Sequence, residues 1–227
     1  RFPMCSTFKF LAIAAVLARV DARQEKLDRP IPFNKGDLLD YAPITKTHLR
    51  RGFMSVADLC AAAIEYSDNT AANLLLATIG GPQGVTRYAR AIGDSVTRLD
   101  RSEPSLNTAS PGDVRDTTTP AAMVNDMRTV LLGHVLSAAS RGRLASWLAA
   151  CQTGQTSIRA GVPPAWRAGD KTGSGDHGTS NDIAILWPPR RRPILVAAYL
   201  TAAAVSASER HTSLAEVGRI ASSAFTR

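Results

Sequence analysis

The sequence is poor in the residues that build disulfide frameworks and metal centres. Its three cysteines (Cys5, Cys60 and Cys151) fit no C-x-x-C spacing, and its four histidines show no paired spacing. The spacing leaves a disulfide between two of the cysteines open, but we expect no metal ion and no other cofactor. The most apolar stretch, from Phe8 to Ala18, is shorter than the roughly 20 residues that span a bilayer, so it predicts a buried helix.

The chain also lacks the charge pattern of a nucleic-acid-binding protein, although its formal net charge is +8. The basic residues are dispersed, and the one dense run, Arg190 to Arg192, follows a Trp-Pro-Pro string that is typical of a hairpin turn. No predicted helix carries a continuous basic stripe, and no aromatic residues alternate with basic ones. We therefore expect a solvated basic surface that attracts small anions, and no nucleic-acid partner.

With 227 residues, the chain is long enough for one globular unit, or two closely packed lobes, with a sizeable core. No signal peptide is visible, and the first residue is Arg1 rather than methionine. Because the buried helix begins almost at once, we interpret the sequence as a processed or incomplete piece of a longer protein.

Apolar periodicity predicts a helical middle and a strand-rich end. The helices expected after the first are SVADLCAAAIEY, TAANLLLATIGG, GPQGVTRYARAIG, TTPAAMVNDMRTVLLG and SAASRGRLASWLAACQT. Residues 97–120 show no period, and their acids and arginines favour an ordered loop. After Pro164, three strand-like runs with short connections predict antiparallel hairpins, and the tail SLAEVGRIASSAF predicts a covering helix. We expect one α+β domain over 1–227, with a helical lobe at about 1–160 and the sheet and C-terminal helix at about 161–227.

Ser6 and Lys9 stand at the start of the apolar helix, three residues apart. At that spacing both side chains lie on the same face of the first turn. A lysine in such a helix loses hydration and tends to lose its proton, and the helix N-terminus places a positive dipole beside the hydroxyl. The pair suits a serine nucleophile with an amine base, although a Ser N-cap followed by a lysine that reaches solvent gives the same string.

Three further strings accompany this S-x-x-K motif: SDN at 67–69, EPSLN at 103–107 and KTG at 171–173. SDN lies at a break between two predicted helices, EPSLN in the long loop and KTG on the first strand. SDN and KTG each occur by chance about once in several thousand positions. S-x-x-K, S-D-N and K-T-G, in this order, are the signature of class A β-lactamases and penicillin-binding proteins. The chain resembles a class A serine β-lactamase over essentially the whole sequence given.

The resemblance implies a two-lobed fold, a helical lobe with an antiparallel sheet covered by helices, and a set of catalytic residues. Ser6 would attack the lactam carbonyl, and either Lys9 or Glu103, through a water, would take its proton. Ser67 would pass a proton to the leaving nitrogen. Glu103 and Asn107 would position the water that frees the acyl-enzyme.

The same resemblance assigns the substrate contacts. Backbone N–H groups of Ser6 and Ser174 would form the oxyanion hole. Lysine and hydroxyl groups of the KTG strand would hold the substrate carboxylate, an asparagine the acylamino side chain, and a tyrosine the cleft wall. The residues expected around the substrate are Tyr41, Asn69, Asn107, Lys171, Thr172, Gly173, Ser174 and Arg210.

The sequence also departs from the family pattern. Members commonly carry an arginine behind the KTG strand, where this chain has Ser180, and Arg210, beside His211, is the expected substitute. The helix and two strands that the family places before the nucleophile are absent from the sequence given. In the long loop, Arg101 and Asp116 resemble the family's ion pair that closes the neck of the loop.

The implied activity is hydrolysis of penicillins and cephalosporins through an acyl-serine, which gives antibiotic resistance. The implied partner is a small β-lactam, and the protein would be a monomer without membrane association, periplasmic or secreted. Two alternatives stay open: a D,D-peptidase of the penicillin-binding type, and a β-lactam sensor that remains acylated. Glu103 distinguishes the β-lactamase from both alternatives, because neither of them needs a residue that activates water.

Overall fold

The structure, a computed structural model, describes residues 1–225 and contains seven α-helices and seven strands within them, together with short 3₁₀ and π turns. The α-helices are α1 (Phe8–Asp21), α2 (Val56–Glu65), α3 (Asn69–Thr78), α4 (Pro82–Ala91), α5 (Pro120–Met127), α6 (Ala138–Ala149) and α7 (Ala207–Ser223). The strands are β1 (Phe2–Pro3), β2 (Pro30–Pro32), β3 (Phe53–Ser55), β4 (Thr117–Thr118), β5 (Arg167–Gly175), β6 (Thr179–Trp187) and β7 (Ile194–Leu200). In this part of the chain, no helix combines the length and the apolar character needed to cross a bilayer.

Helix α1 is the centre of the hydrophobic core. All of its residues from Phe8 to Leu17 are buried, Lys9 included. The helix contacts α2, α3, α4 and α6, so neighbours cover it on several sides. A helix that is apolar all round has to be enclosed in this way, and the predicted buried helix is confirmed.

The main sheet has the antiparallel order β5-β6-β7. Its register sets Gly173 opposite Asn181, and Asn181 opposite Tyr199. Helix α6 packs against β5, α5 against β7, and α7 against both β6 and β7. The three predicted hairpin strands, the covering tail helix and the α+β fold class are confirmed.

Some elements differ from the predictions. Strands β1 and β4 form a small sheet, as do β2 and β3, and neither sheet was predicted. Strands of two or three residues are too short to show an alternating pattern. The tail helix begins at Ala207 instead of near Ser213, because Ser206 and Glu209 form a capping box there. Around Ser6 the chain forms a 3₁₀ turn rather than the first turn of α1.

The loop between α4 and α5 is ordered by an ion pair at its neck, as predicted. The Arg101 Nε atom donates to Asp116 Oδ2 at 2.6 Å, and the Asp116 side chain is buried. The other carboxylate oxygen of Asp116 accepts from the backbone N–H groups of Asp100 at 2.7 Å and Arg101 at 2.9 Å. One buried carboxylate therefore joins the two ends of the loop.

We expect Asp116→Ala to open this loop. The substitution removes the acceptor of Arg101 Nε and of two backbone N–H groups, and removal of one partner of a buried pair costs about 3 kcal/mol. Limited proteolysis should cleave faster within residues 97–120, and the Tm should fall. Glu216→Ala, which breaks an exposed pair with Arg219, is the control and should change little. Equal cleavage of Asp116→Ala and the parent would contradict the role of the neck.

A second buried carboxyl lies on α5. Asp126 is hydrogen-bonded to Asp94, and burial together with the negative charge of Asp94 raises the pKa of Asp126 to about 8. Asp94 also accepts from the backbone N–H groups of Val96 at 2.6 Å and Thr97 at 3.1 Å. At neutral pH the Asp126 carboxyl therefore stays protonated, and its O–H group donates a hydrogen bond to the Asp94 carboxylate.

This pair predicts a pH dependence of stability. The unfolded chain releases the Asp126 proton near pH 3.8 and the folded protein near pH 8, so stability falls as the pH rises through this interval. Asparagine donates the same hydrogen bond and cannot ionise. We expect the Tm of Asp126→Asn minus that of the parent to grow by several degrees between about pH 5 and about pH 8, then to level off. Parallel Tm profiles across this range would show that Asp126 titrates normally.

Candidate active site

All of the predicted site residues except Arg210 line one cleft of about 340 Å³ or lie buried beneath it. The 3₁₀ turn before α1, the break between α2 and α3, the long loop and strand β5 each contribute to its walls. The lining residues are Ser6, Tyr41, Ser67, Asn69, Asn107, Thr153, Ser157, Thr172, Gly173, Ser174, Asn181 and His211. Lys9, Glu103 and Lys171 lie buried beneath this surface.

Ser6 lies on a turn of unusual backbone geometry. The preceding residue, Cys5, has φ of +45°, a left-handed conformation that costs free energy for a residue with a side chain. The Ser6 Oγ atom donates to Glu103 Oε1 at 3.1 Å and accepts from Lys9 Nζ at 3.0 Å. A hydroxyl held between a carboxylate and an amine has two groups within reach that can take its proton.

Lys9 is fully buried and joins three segments of the chain. Its Nζ atom donates to the backbone oxygen of Ser67 at 2.8 Å and to Asn69 Oδ1 at 2.6 Å, and it lies 3.0 Å from Glu103 Oε1. Burial lowers the pKa of Lys9, although the charge of Glu103 acts in the opposite direction. The ammonium is therefore easier to deprotonate than an exposed lysine.

Ser67 stands between two lysines. Its Oγ atom accepts from Lys171 Nζ at 2.9 Å and from Lys9 Nζ at 3.3 Å. Ser67 adopts φ of +58° at the break between α2 and α3, which turns the chain into the cleft. Burial, with the positive charge of Lys9, lowers the pKa of Lys171 to about 8. The Ser67 hydroxyl is thus well placed to relay a proton.

Glu103 is fixed by two asparagines. Asn107 Nδ2 donates to Glu103 Oε2 at 2.5 Å. Asn73, on α3, binds both backbone groups of Glu103: its Nδ2 donates to the carbonyl at 2.9 Å, and its Oδ1 accepts from the N–H at 3.0 Å. The sequence predicted Asn107 but not Asn73, whose one signal is a polar residue within the apolar helix NTAANLLLAT.

The KTG strand forms one wall of the cleft. The Thr172 hydroxyl lies 2.6 Å from the hydroxyl of Thr153, a residue that was not predicted. Gly173 packs so closely that an added Cβ would lie 2.8 Å from the Met4 carbonyl oxygen. Tyr41 stands at the opposite rim with half of its surface exposed.

The predicted substitute for the missing arginine takes a position beside the cleft. Arg210 Nε donates to Ser180 Oγ at 2.9 Å, so the two residues are joined. His211, rather than Arg210, lines the cleft, and its Nδ1 lies 3.1 Å from the Thr156 hydroxyl. The role of Arg210 stays a prediction, and His211 is an addition to the predicted set.

The cysteines take no part in this arrangement. All three are buried and free. Burial raises the pKa of the Cys5 thiol to about 12, so it does not compete with the adjacent Ser6 as a nucleophile at neutral pH. Among residues 1–225, no cluster of three or more histidines, cysteines or acids is arranged to hold a metal ion.

Comparisons with known proteins agree with this geometry. The profile of one family, the β-lactamase enzyme family, matches residues 1–225. The β-lactamase CTX-M-8 of Citrobacter amalonaticus is 48% identical over 99% of this chain and 77% of its own length. The β-lactamase L2 of Stenotrophomonas maltophilia is 51% identical over 97% of this chain and 73% of its own.

Solved structures give the same result. An ancestral class A β-lactamase superposes with a TM-score of 0.97 at 60% identity, over 99% of this chain and 86% of that one. A putative class A β-lactamase, PenP, of Rhodopseudomonas palustris superposes with a TM-score of 0.97 at 55% identity, over 99% and 85%. The chain therefore belongs to the β-lactamase enzyme family. Within that family it is a class A serine enzyme that hydrolyses β-lactams and so confers antibiotic resistance.

The lowered pKa of Lys171 predicts how activity depends on pH. Above about pH 8 the ammonium loses its proton, so attraction to a substrate carboxylate weakens. We expect kcat/KM for a penicillin to fall several-fold between about pH 7 and about pH 9.5 relative to that for the same penicillin with its carboxyl blocked as a methyl ester. The ester lacks the carboxylate, so it is affected by the titration of every other group in the enzyme but not by the attraction to Lys171. A constant ratio of the two values would exclude Lys171 as the anion-binding charge.

Proposed function

We propose that this enzyme opens penicillins and cephalosporins through a covalent acyl-Ser6 intermediate. The observation that carries the proposal is the position of Ser6 Oγ, within hydrogen-bonding distance of both Lys9 Nζ and Glu103 Oε1. Few serines in a folded protein contact a buried amine and a buried carboxylate at once. Either group is a base within reach of the hydroxyl, which is what nucleophilic catalysis by serine requires.

In the acylation step, Ser6 Oγ bonds to the lactam carbonyl carbon while its proton moves to a base, either Lys9 or Glu103 through a water. The carbonyl oxygen becomes an oxyanion, which the backbone N–H groups of Ser6 and Ser174 stabilise. The C–N bond then breaks, and the nitrogen takes a proton from Ser67. The contacts of Ser67 Oγ with both lysines support this relay, because either ammonium can return a proton to the Ser67 oxygen.

In the deacylation step, a water attacks the ester carbonyl and Glu103 accepts its proton. Asn107 supports this role because it binds Glu103 Oε2, and its own Oδ1 is a buried acceptor with no protein partner among the described residues. A water donating to Asn107 Oδ1 and to Glu103 would face the acylated serine. Expulsion of Ser6 Oγ with a proton restores the free enzyme.

Substrate recognition follows from the charges and shape of the cleft. Lys171, with the hydroxyls of Thr172 and Ser174, would bind the carboxylate of the β-lactam. Asn69 would hold the acylamino group, and the exposed ring of Tyr41 would cover the bicyclic core. Arg210 adds positive charge behind Ser180. We further propose that the enzyme is a monomer, periplasmic or secreted, on the strength of its resemblance to the family.

Mass spectrometry of single-residue variants tests the mechanism. We expect Glu103→Ala to become acylated by a penicillin and then to stall, because loss of a general base slows its step by about a hundredfold to ten-thousandfold. One added ligand mass should map to Ser6 and persist for minutes. Ser6→Ala should show no adduct and no hydrolysis.

The matched control is Ser105→Ala, an exposed residue of the same short turn, which should turn over at the parent rate. Turnover of Glu103→Ala at the parent rate would refute the assignment of the base. A parent enzyme that itself stalls in the acylated state would instead indicate a sensor or a penicillin-binding protein.

A further inference from the structure

Three residues form a row across the main sheet, directly below the turn that carries Ser6. Gly173 on β5, Asn181 on β6 and Tyr199 on β7 stand opposite one another in the register. Directly opposed residues in an antiparallel sheet share one face. On the face that meets the turn, Gly173 therefore has no side chain, Asn181 has a short amide and Tyr199 has a long phenol.

Asn181 binds backbone groups of two other segments. Its Nδ2 donates to the carbonyl oxygens of Pro3 at 2.8 Å and Met4 at 3.2 Å. Its Oδ1 accepts from the N–H of Leu200 at 3.3 Å. The side chain is buried, with 2% of the residue exposed. One amide thus ties the start of the nucleophile turn to strands β6 and β7.

The Met4 carbonyl is the anchor of that turn. It also accepts from the N–H of Thr7 at 3.2 Å and from the Thr7 hydroxyl at 2.8 Å. The Thr7 hydroxyl lies 3.1 Å from the hydroxyl of Tyr199, the outer residue of the row. Because Cys5 is held at a positive φ between Met4 and Ser6, the turn keeps its shape only while such contacts hold it.

The turn also packs against β5, the strand that carries Ser174, whose N–H is the second donor of the proposed oxyanion hole. A Cβ added to Gly173 would lie 3.1 Å from the backbone nitrogen of Ser6, so the turn rests directly on this strand. Ser174 follows Gly173 on the same strand. The distance between the N–H groups of Ser6 and Ser174 therefore depends on how closely the turn packs against β5.

We propose that Asn181 is a positioning residue for the oxyanion hole. By holding the Pro3 and Met4 carbonyls, it keeps the strained turn on the sheet and so fixes the Ser6 N–H relative to the Ser174 N–H. The inference rests on the proposed acyl-Ser6 mechanism. Asn181 lines the cleft, but its amide groups are already bonded to Pro3, Met4 and Leu200, so its effect on the reaction is through the turn.

The test is the infrared carbonyl band of the acyl-enzyme, trapped with a penicillin in the Glu103→Ala background. Hydrogen bonds from an oxyanion hole lower the stretching frequency of the ester carbonyl, so Asn181→Ala should move this band to higher wavenumber. With Glu103 intact, the acylation rate constant should fall by about tenfold to a hundredfold, somewhat less than on loss of a hole donor itself. The dissociation constant of the noncovalent complex should stay unchanged.

The matched control is Thr179→Val, which removes another side-chain hydrogen bond of the same hairpin without touching the turn. This is the 2.7 Å contact of Thr179, the first residue of β6, with Thr201, the residue after β7. It should leave the band and the acylation rate as in the parent. If Asn181→Ala does not fold, as judged by thermal melting, Asn181→Ser should show a smaller shift in the same direction.

The outcomes separate the two proposals. An unshifted band in an acyl-enzyme that does form, for whichever Asn181 variant folds, would overturn the positioning role alone. An equal shift in Thr179→Val would also overturn it, because any loosening of the sheet would then suffice. Failure of Glu103→Ala itself to hold an acyl group on Ser6 would overturn the proposed mechanism and this inference with it.

Discussion

The burial of the Lys9 ammonium is the constraint on which the rest of the structure depends. A buried charge is tolerated only when it is paired and hydrogen-bonded. The buried part of α1, Phe8 to Leu17, is otherwise apolar, so apart from the neighbouring Ser6 the partners of Lys9 have to come from elsewhere in the chain. They are Glu103, the Ser67 carbonyl and Asn69. Packing of the core therefore brings the long loop and the break between α2 and α3 to the same point.

This requirement explains why so many buried polar contacts fix the long loop in place. Glu103 reaches Lys9 only if its backbone is fixed, and the Asn73 side chain does so by binding both its N–H and its carbonyl. The loop in turn keeps its course because Asp116 joins its two ends. Asp116 and Ser67 both adopt positive φ, as Cys5 does, so each of the three segments that meet at Lys9 contains a strained backbone position. Contacts with the surrounding structure keep these residues in that conformation.

The sequence predicted the parts of this structure that local pattern determines. The helices, the three hairpin strands, the ordered loop and the four motifs each depend on residues close together in the chain. Asn73, Thr153 and Asn181 could not be predicted, because their partners are backbone or side-chain groups of distant segments. His211 was noted only as a neighbour of Arg210, since which of the two faces the cleft depends on how α7 packs on the sheet. Prediction failed where function depends on tertiary contacts alone.

The charges of the cleft link binding to proton transfer. Lys9 and Lys171 repel each other, and Glu103 compensates only one of them, so the three groups carry a formal charge of +1 when all are ionised. A substrate carboxylate beside Lys171 would bring the sum to zero and favour the charged form of that lysine. The Ser67 hydroxyl would then accept a hydrogen bond from a full ammonium at the moment when it passes its own proton to the lactam nitrogen. In the proposed mechanism, the proton relay would therefore depend on an anionic substrate, because among residues 1–225 the buried Lys171 has no compensating charge of its own as close as Glu103 is to Lys9.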